Sequence, residues 1–188
     1  TLVDSRLDFE QIRADMGLAS GAPILESLES MDPAGRSKAE QVLFEHEQQG
    51  VKRASPYPGV LDLLEQLVEH GLRLAILTRN RGDCARATLL ATLPACWDNV
   101  ISRDDGPIKP SPWGIHQICS DWQVEPSRVV MIGDYVFDIA AALHREWEAD
   151  GHRRVEPIMQ HLPIDSDTAI DTMIERAQHT LGEDRFDR

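Results

Sequence analysis

The chain has 188 residues, of which 41% are hydrophobic, and its formal net charge at pH 7 is −13. This length and apolar content fit one α/β domain together with a small accessory segment. The acidic charge argues against a nucleic-acid or anionic-membrane partner, since both require a basic surface, and no stretch approaches the ~20 apolar residues of a membrane span.

The first part of the chain, residues 8 to about 50, has apolar residues at helical spacing, such as Phe9, Ile12 and Met16. Proline-containing breaks at positions 21–23 and 32–33 divide the pattern and supply helix starts. The sequence therefore predicts a small insert of two to four helices. The pattern alone indicates no function, because any amphipathic helical segment shows it.

After position 59 the pattern changes to strands that alternate with helices. The predicted helices cover residues 60–71, 84–93, 113–122 and 137 to about 149, and the predicted strands cover residues 72–77, 100–101 and 129–132. This alternation predicts right-handed βαβ units, and hence an α/β fold with a Rossmann-like parallel sheet flanked by helices. Further on, residues 155–159 are a weaker strand prediction because of Pro157, and residues 168–181 are a predicted helix.

The cysteines, Cys84, Cys96 and Cys119, are odd in number and lack metal-ligand spacing. We interpret them as buried thiols of a protein in the reducing cytoplasm. The chain starts at Thr1 without a basic segment followed by an apolar one, so we expect no secretory signal. Because it lacks an initiator methionine, we expect that it begins inside a longer polypeptide.

Two carboxylates follow the apolar run 129–132. Gly133 and Asp134 come directly after it, and Asp138 falls in the first turn of the next predicted helix. Open α/β sheets bind ligands at the carboxyl ends of their strands, so both acids should face one crevice. Two converging carboxylates favour a positive group between them, and Mg²⁺ with its oxygen ligands is the natural candidate. The alternative is a helix start whose acids interact only with the helix dipole.

Polar residues also follow the predicted strand 72–77. The hydroxyl of Thr78 and the amide of Asn80 can hydrogen-bond an anionic oxygen, and Arg79 adds a guanidinium. Lys109, in a loop rich in proline, can present an ammonium to the same crevice. Taken singly, Thr78 is also typical of a capping residue and Lys109 of a solvated loop lysine. Together with the two carboxylates they suit a phosphoryl group bridged to Mg²⁺.

Four motifs in order resemble the haloacid dehalogenase superfamily, in particular its phosphoglycolate-phosphatase-like phosphatases. Residues 1–5, Thr-Leu-Val-Asp-Ser, resemble the end of the first motif, Asp-x-Asp-Gly-Thr-Leu-Val-Asp-Ser. The second is similar to the run that ends at Thr78, the third to Lys109-Pro110, and the fourth to Gly133-Asp134 with Asp138. The resemblance covers residues 1 to about 142.

The resemblance implies roles for these residues. Thr78, with Arg79 and Asn80, would bind the phosphoryl oxygens, and Lys109 would stabilise the nucleophile and its phosphorylated form. Asp134 and Asp138 would hold Mg²⁺. Residues 8–55 would be the cap, and residues 1–7 and 56–188 the core. The substrate implied is a small phosphorylated metabolite.

In the family, two aspartates stand just before the position matched by Thr1, one the nucleophile and the other the general acid/base. We therefore expect the chain from Thr1 onwards to be inactive by itself. The alternatives are a dehalogenase on the same fold, which needs no metal, and a non-catalytic member that binds a phosphorylated ligand. The sequence indicates no oligomeric state.

Overall fold

A computed structural model describes residues 1–142 and the backbone of residues 156–159. Helices and strands alternate along most of this range. In chain order they are β1 (Val3–Asp4), α1 (Phe9–Asp15), α2 (Ile24–Glu29), α3 (Pro33–Arg53), β2 (Ser55–Pro56), α4 (Val60–Glu69), β3 (Ala75–Leu77), α5 (Gly82–Thr92), β4 (Asn99–Ile101), α6 (Trp113–Trp122), β5 (Val130–Gly133), α7 (Val136–Ala142) and β6 (Glu156–Met159). The predicted helix 168–181 and the second half of the predicted helix 137–149 lie outside the described residues.

Helices α1 to α3 form a segment with a core of its own, which we call the three-helix segment. The carboxylates of Asp8 and Asp32 accept backbone N–H groups in the first turns of α1 and α3 and so fix where these helices begin. Buried apolar residues of the three helices pack together, namely Ile12, Leu28, Ala39 and Leu43. The segment leaves and rejoins the rest of the chain through β1 and β2, which pair antiparallel.

The rest of the described chain has the predicted α/β architecture. β3 pairs in parallel with β4, and β5 pairs in parallel with β6. In the described ranges these pairs belong to separate two-stranded sheets. β6 forms despite Pro157, whose Cα lies opposite that of Met131 in β5. The predicted fold class, a parallel sheet with flanking helices, is confirmed.

β3 begins three residues later than the sequence predicts, at Ala75 rather than at Leu72. The reason is the side chain of Asp98, whose Oδ2 accepts the N–H of Leu74 at 3.2 Å. The carbonyl of Leu74 accepts the N–H of Asp98 at 2.8 Å. A local bridge to a loop therefore takes the place of the strand ladder at this position.

Helix α4 packs against both sheets. Its Leu63 and Leu67 contact Leu72 and Leu74 on the β3 side and Ile132 on the β5 side. A cavity of about 910 Å³ is lined by apolar side chains of both β3 and β5. The residues of β3 are only half-buried, although an interior strand of a parallel sheet is normally covered on both faces.

The thiols of Cys84, Cys96 and Cys119 are free. Cys84 and Cys119 are buried, as the sequence predicts, whereas Cys96 is only half-buried. Burial raises the pKa of Cys84 and Cys119 to about 11, so both thiols stay protonated at neutral pH. In the parts of the chain that the structure describes, no helix has both the length and the apolar character needed to cross a membrane.

Candidate active site

The loop after β3 presents Thr78 at the carboxyl end of the strand. Its N–H donates to the carbonyl of Ile101 in β4 at 2.9 Å, which extends the parallel pairing by one bond. Its Oγ1 accepts the N–H of Asn80 at 3.1 Å and closes a tight turn. The bond to Asn80 uses the hydroxyl oxygen as an acceptor, so the hydroxyl proton can be donated to a ligand.

Lys109 reaches the same strand end from the loop between β4 and α6. Its Nζ donates to the carbonyl of Leu77, the last residue of β3, at 2.7 Å. It also lies 2.5 Å from Oδ1 of Asp138 in α7. Only 11% of the lysine side chain is exposed, so Lys109 is not a solvated loop lysine. Its ammonium joins the tip of β3 to the first turn of α7.

Asp138 is buried, and both of its carboxylate oxygens have partners. Oδ1 contacts Lys109, and Oδ2 accepts the N–H of Tyr135 at 3.0 Å, which caps the start of α7. The carboxylate lies directly against Gly133, where a Cβ atom would overlap it. Only glycine fits at this position if Asp138 is to keep both contacts.

Asp134 is the more accessible acid, with 54% of its side chain exposed. The hydroxyl of Thr1 donates to its Oδ1, and the amino group of Thr1 lies 3.3 Å from the same oxygen. In the chain that starts at Thr1, burial raises the pKa of Asp134, but the Thr1 hydroxyl and the terminal amino group outweigh this effect, so its pKa is lowered overall. The carboxylate is therefore charged at neutral pH.

The donor chemistry of this pair fits a hard cation that retains several waters. Asp134 is anionic and accessible, and it can ligate directly. Asp138 is paired with Lys109, so it can act through one of the metal's waters. In residues 1–142, no group of three or more His, Cys, Asp and Glu side chains could hold a metal ion, and the two aspartates supply only part of a ligand set.

The guanidinium of Arg79 hydrogen-bonds to other residues of the protein. Its Nη1 donates to the carbonyl of Lys109, and its Nη2 lies 2.7 Å from Oε1 of Glu26 in α2. Its guanidinium carbon lies 4.0 Å from the ring centroid of Phe137. Asn80 takes part through its backbone, which bonds to Thr78 and, through its carbonyl, to the N–H of Arg103. The sequence predicts both residues as phosphate ligands, and that remains a prediction.

A second arginine, which no sequence motif marks, also contacts the three-helix segment. Arg103 forms a bidentate pair with Glu47 of α3, at 2.5 Å and 2.9 Å, and Glu47 is only 5% exposed. Nη1 of Arg103 also donates to the carbonyl of Arg79 at 3.2 Å. No sequence spacing marks these pairs, because the partners are separated by 53 residues in one case and 56 in the other.

Comparison with known proteins decides the family. The family model described as haloacid dehalogenase-like hydrolase matches residues 5–147. The chain belongs to this family. The phosphoglycolate-phosphatase-like resemblance that the four motifs indicate is confirmed as well.

The relatives of this haloacid dehalogenase-like chain include a phosphoglycolate phosphatase from Rhodospirillum rubrum, 30% identical over 113 residues, which are 59% of this chain and 47% of the relative. A haloacid dehalogenase-like hydrolase domain-containing protein from Arabidopsis thaliana is 28% identical over 130 residues, which are 69% and 52% of the two chains. The chain thus spans about half the length of the curated relatives it matches.

Solved structures agree on the fold. A haloacid dehalogenase-like hydrolase from Bacteroides fragilis superposes with a TM-score of 0.66 at 20% identity, and the match covers 92% of this chain and 88% of that one. At this identity the likeness concerns the fold.

Proposed function

We propose that the full-length protein is a Mg²⁺-dependent phosphatase that hydrolyses a small phosphorylated metabolite through an aspartyl-phosphate. One observation carries the proposal. The ammonium of Lys109 lies between the carbonyl of Leu77, directly before Thr78, and the carboxylate of Asp138. An ammonium from the loop before α6 and a carboxylate from the first turn of α7 thus lie at the end of β3, next to the residue that carries the hydroxyl. The carboxyl ends of strands are where α/β sheets bind ligands.

The residues of this site would divide the work of phosphoryl transfer. Thr78 donates its hydroxyl proton to a phosphoryl oxygen, and Lys109 neutralises charge on the nucleophile and on the phosphorylated intermediate. Asp134 and Asp138 would hold Mg²⁺, which when bound screens the negative charge of the phosphoryl group. Positioning and charge neutralisation of this kind account for most of the catalysis in phosphoryl transfer.

We place the nucleophilic aspartate and the acid/base aspartate in the segment that precedes Thr1. Thr1 lies against Asp134, and residues 1–3 line the cavity that β3 and β5 share. A strand that leads to Thr1 through this cavity would pair with β3 on one side and with β5 on the other. It would place a carboxylate between Thr78 and Asp134. The nucleophile would attack phosphorus, the substrate alcohol would leave with a proton from the second aspartate, and water would then release phosphate.

The three-helix segment would be the cap of this phosphatase. Its Glu26 and Glu47 contact arginines in the loops after β3 and β4, so the segment is joined to the loop that carries Thr78 and to the loop that leads to Lys109. A cap in this position excludes water from the reaction and surrounds the part of the substrate that does not react. We therefore expect substrate selection to depend on its side chains.

The test is phosphate release from p-nitrophenyl phosphate by the full-length protein, with Mg²⁺ or with EDTA. We expect release only with Mg²⁺, and none from the chain that starts at Thr1. Lys109→Met should reduce turnover by roughly 100-fold or more, as loss of a charge-stabilising donor does. Lys52→Met, at an exposed lysine of α3, is the matched control and should leave turnover unchanged.

Three results would contradict the proposal. Halide release from a haloacid in the presence of EDTA would identify a dehalogenase. Binding of phosphorylated ligands without any turnover would identify a non-catalytic member. Metal-dependent phosphate release by the chain from Thr1 would show that the nucleophile lies elsewhere.

A further inference from the structure

Arg79 lies where three loops of the core meet the three-helix segment. Directly after Thr78 in sequence, it donates to the backbone carbonyl of Lys109 and stacks on Phe137, the residue before Asp138. Arg79 is thus next to Thr78 in sequence, contacts Lys109 directly and contacts the residue that precedes Asp138. Its side chain is 18% exposed, so these contacts are largely shielded from water.

The remaining contact of this guanidinium crosses to the three-helix segment. Nη2 donates to Oε1 of Glu26 at 2.7 Å, while Oε2 of Glu26 is buried and has no hydrogen-bond partner in the described part of the chain. By contrast, Glu47 uses both oxygens on Arg103. The Glu26 contact is therefore weaker than the Glu47 contact, and it is the easier of these two ion pairs to break and form again.

The contacts of Lys109 explain why this matters for the site. The lysine has two anchors at its ammonium, Leu77 and Asp138, and one at its backbone, the guanidinium of Arg79. Loss of the backbone anchor lets the loop that carries Lys109 move away from the end of β3. A shift of about 1 Å in such a group is enough to weaken catalysis substantially.

We propose that Arg79 is a positioning residue that couples the three-helix segment to Lys109, with Glu26 as its partner in that segment. When Glu26 contacts Arg79, the guanidinium is held against the Lys109 carbonyl and the ammonium stays between Leu77 and Asp138. When the segment moves away, Arg79 loses its anionic partner and Lys109 loses its backbone anchor. The catalytic meaning of this coupling rests on the proposed function, whereas the coupling itself does not.

The coupling can be measured without enzyme activity, because the lysines of this chain are Lys38, Lys52 and Lys109. The purified chain of residues 1–188 is treated with a limiting amount of an acetylating ester, and the modification rate of each lysine is followed by peptide mass spectrometry. Lys38 and Lys52 are exposed on α3 and serve as internal references. Lys109 should react more slowly than both, since it is 11% exposed and ion-paired.

Arg79→Met should raise the rate at Lys109 by roughly tenfold, as for the loss of one charge-assisted hydrogen bond. Glu26→Gln should raise it by roughly two- to fivefold, the range of a partly exposed ion pair. Glu40→Gln removes an exposed glutamate that pairs with Arg36 within α3, and it should change nothing. Thermal melting is measured to check that each variant is folded at the labelling temperature. If Arg79→Met does not fold, Glu26→Gln remains as the test.

An unchanged Lys109 rate in Glu26→Gln, or an equal rise in Glu40→Gln, would overturn the coupling. In the active full-length protein, Glu26→Gln should lower kcat more than it raises KM, because the ammonium is misplaced while the substrate still binds. A labelling effect with no phosphatase activity in any protein would leave the coupling standing and would refute the proposed function. An effect on KM alone would make Glu26 a substrate-binding residue.

Discussion

The buried pair between Glu47 and Arg103 offers a quantitative test of how the three-helix segment is attached. Glu47→Gln keeps the size of the side chain but removes its charge, and it turns an amide donor or a neutral oxygen towards the guanidinium. Arg103, with 17% of its side chain exposed, is then left charged without an anionic partner. The remaining contact of its Nη1, the carbonyl of Arg79 at 3.2 Å, is a long hydrogen bond.

Removing one partner of a buried ion pair costs about 3 kcal/mol of unfolding free energy, because the other charge stays desolvated. With a urea slope of about 2 kcal/mol per molar, this loss lowers the unfolding midpoint by about 1.5 M. The double variant Glu47→Gln with Arg103→Met removes the orphaned charge and should recover much of the loss. Glu40→Gln, at the exposed pair with Arg36, is the control and should not move the midpoint measurably.

The assay is urea unfolding, followed by circular dichroism, of the wild type, Glu47→Gln, the control Glu40→Gln, and the double variant Glu47→Gln with Arg103→Met. Two results would refute the reasoning. One is a midpoint for Glu47→Gln equal to that of Glu40→Gln, which would mean that the pair is solvated. The other is a double variant no more stable than Glu47→Gln, which would mean that the loss does not come from the unpaired charge of Arg103.

Two further substitutions test the contacts of two carboxylates, Asp138 in the candidate site and Asp105 in the loop after β4. Gly133→Ala should displace Asp138 from Lys109 and Tyr135, because the added Cβ would overlap its carboxylate. The Mg²⁺ affinity of the full-length protein, measured by calorimetry, should therefore fall. An unchanged affinity would mean that Asp138 does not contribute to the metal site. The hydroxyl and N–H of Ser102 lower the pKa of Asp105 below 3.8, so this carboxylate stabilises the fold above that pH and the effect is lost as the pH falls through the lowered value. Asp105→Asn should therefore reduce the difference in urea midpoint between pH 7 and pH 3, and a difference equal to that of the wild type would contradict the assignment.

The local elements of this protein were readable from its sequence. The helix α6 has the predicted bounds, Trp113–Trp122, since the spacing of its apolar residues and the prolines before it act within a few residues. The predicted strand 72–77 was too long, because the side chain that shortens it, Asp98, comes from a loop more than twenty residues later. The hydrophobic period of a segment indicates which secondary structure it can form, but the partner strand and its neighbours determine where the strand begins and ends.

The sequence alone also predicted which residues form the candidate site, namely Thr78, Lys109, Asp134 and Asp138, because the carboxyl ends of parallel strands lie at one edge of a sheet. Only the tertiary structure decided how their charges are paired. It set the ammonium of Lys109 against Asp138 and turned the guanidinium of Arg79 towards Glu26. Such pairs depend on the distances between loops that are far apart in the chain, so sequence spacing does not indicate which charged residues will pair.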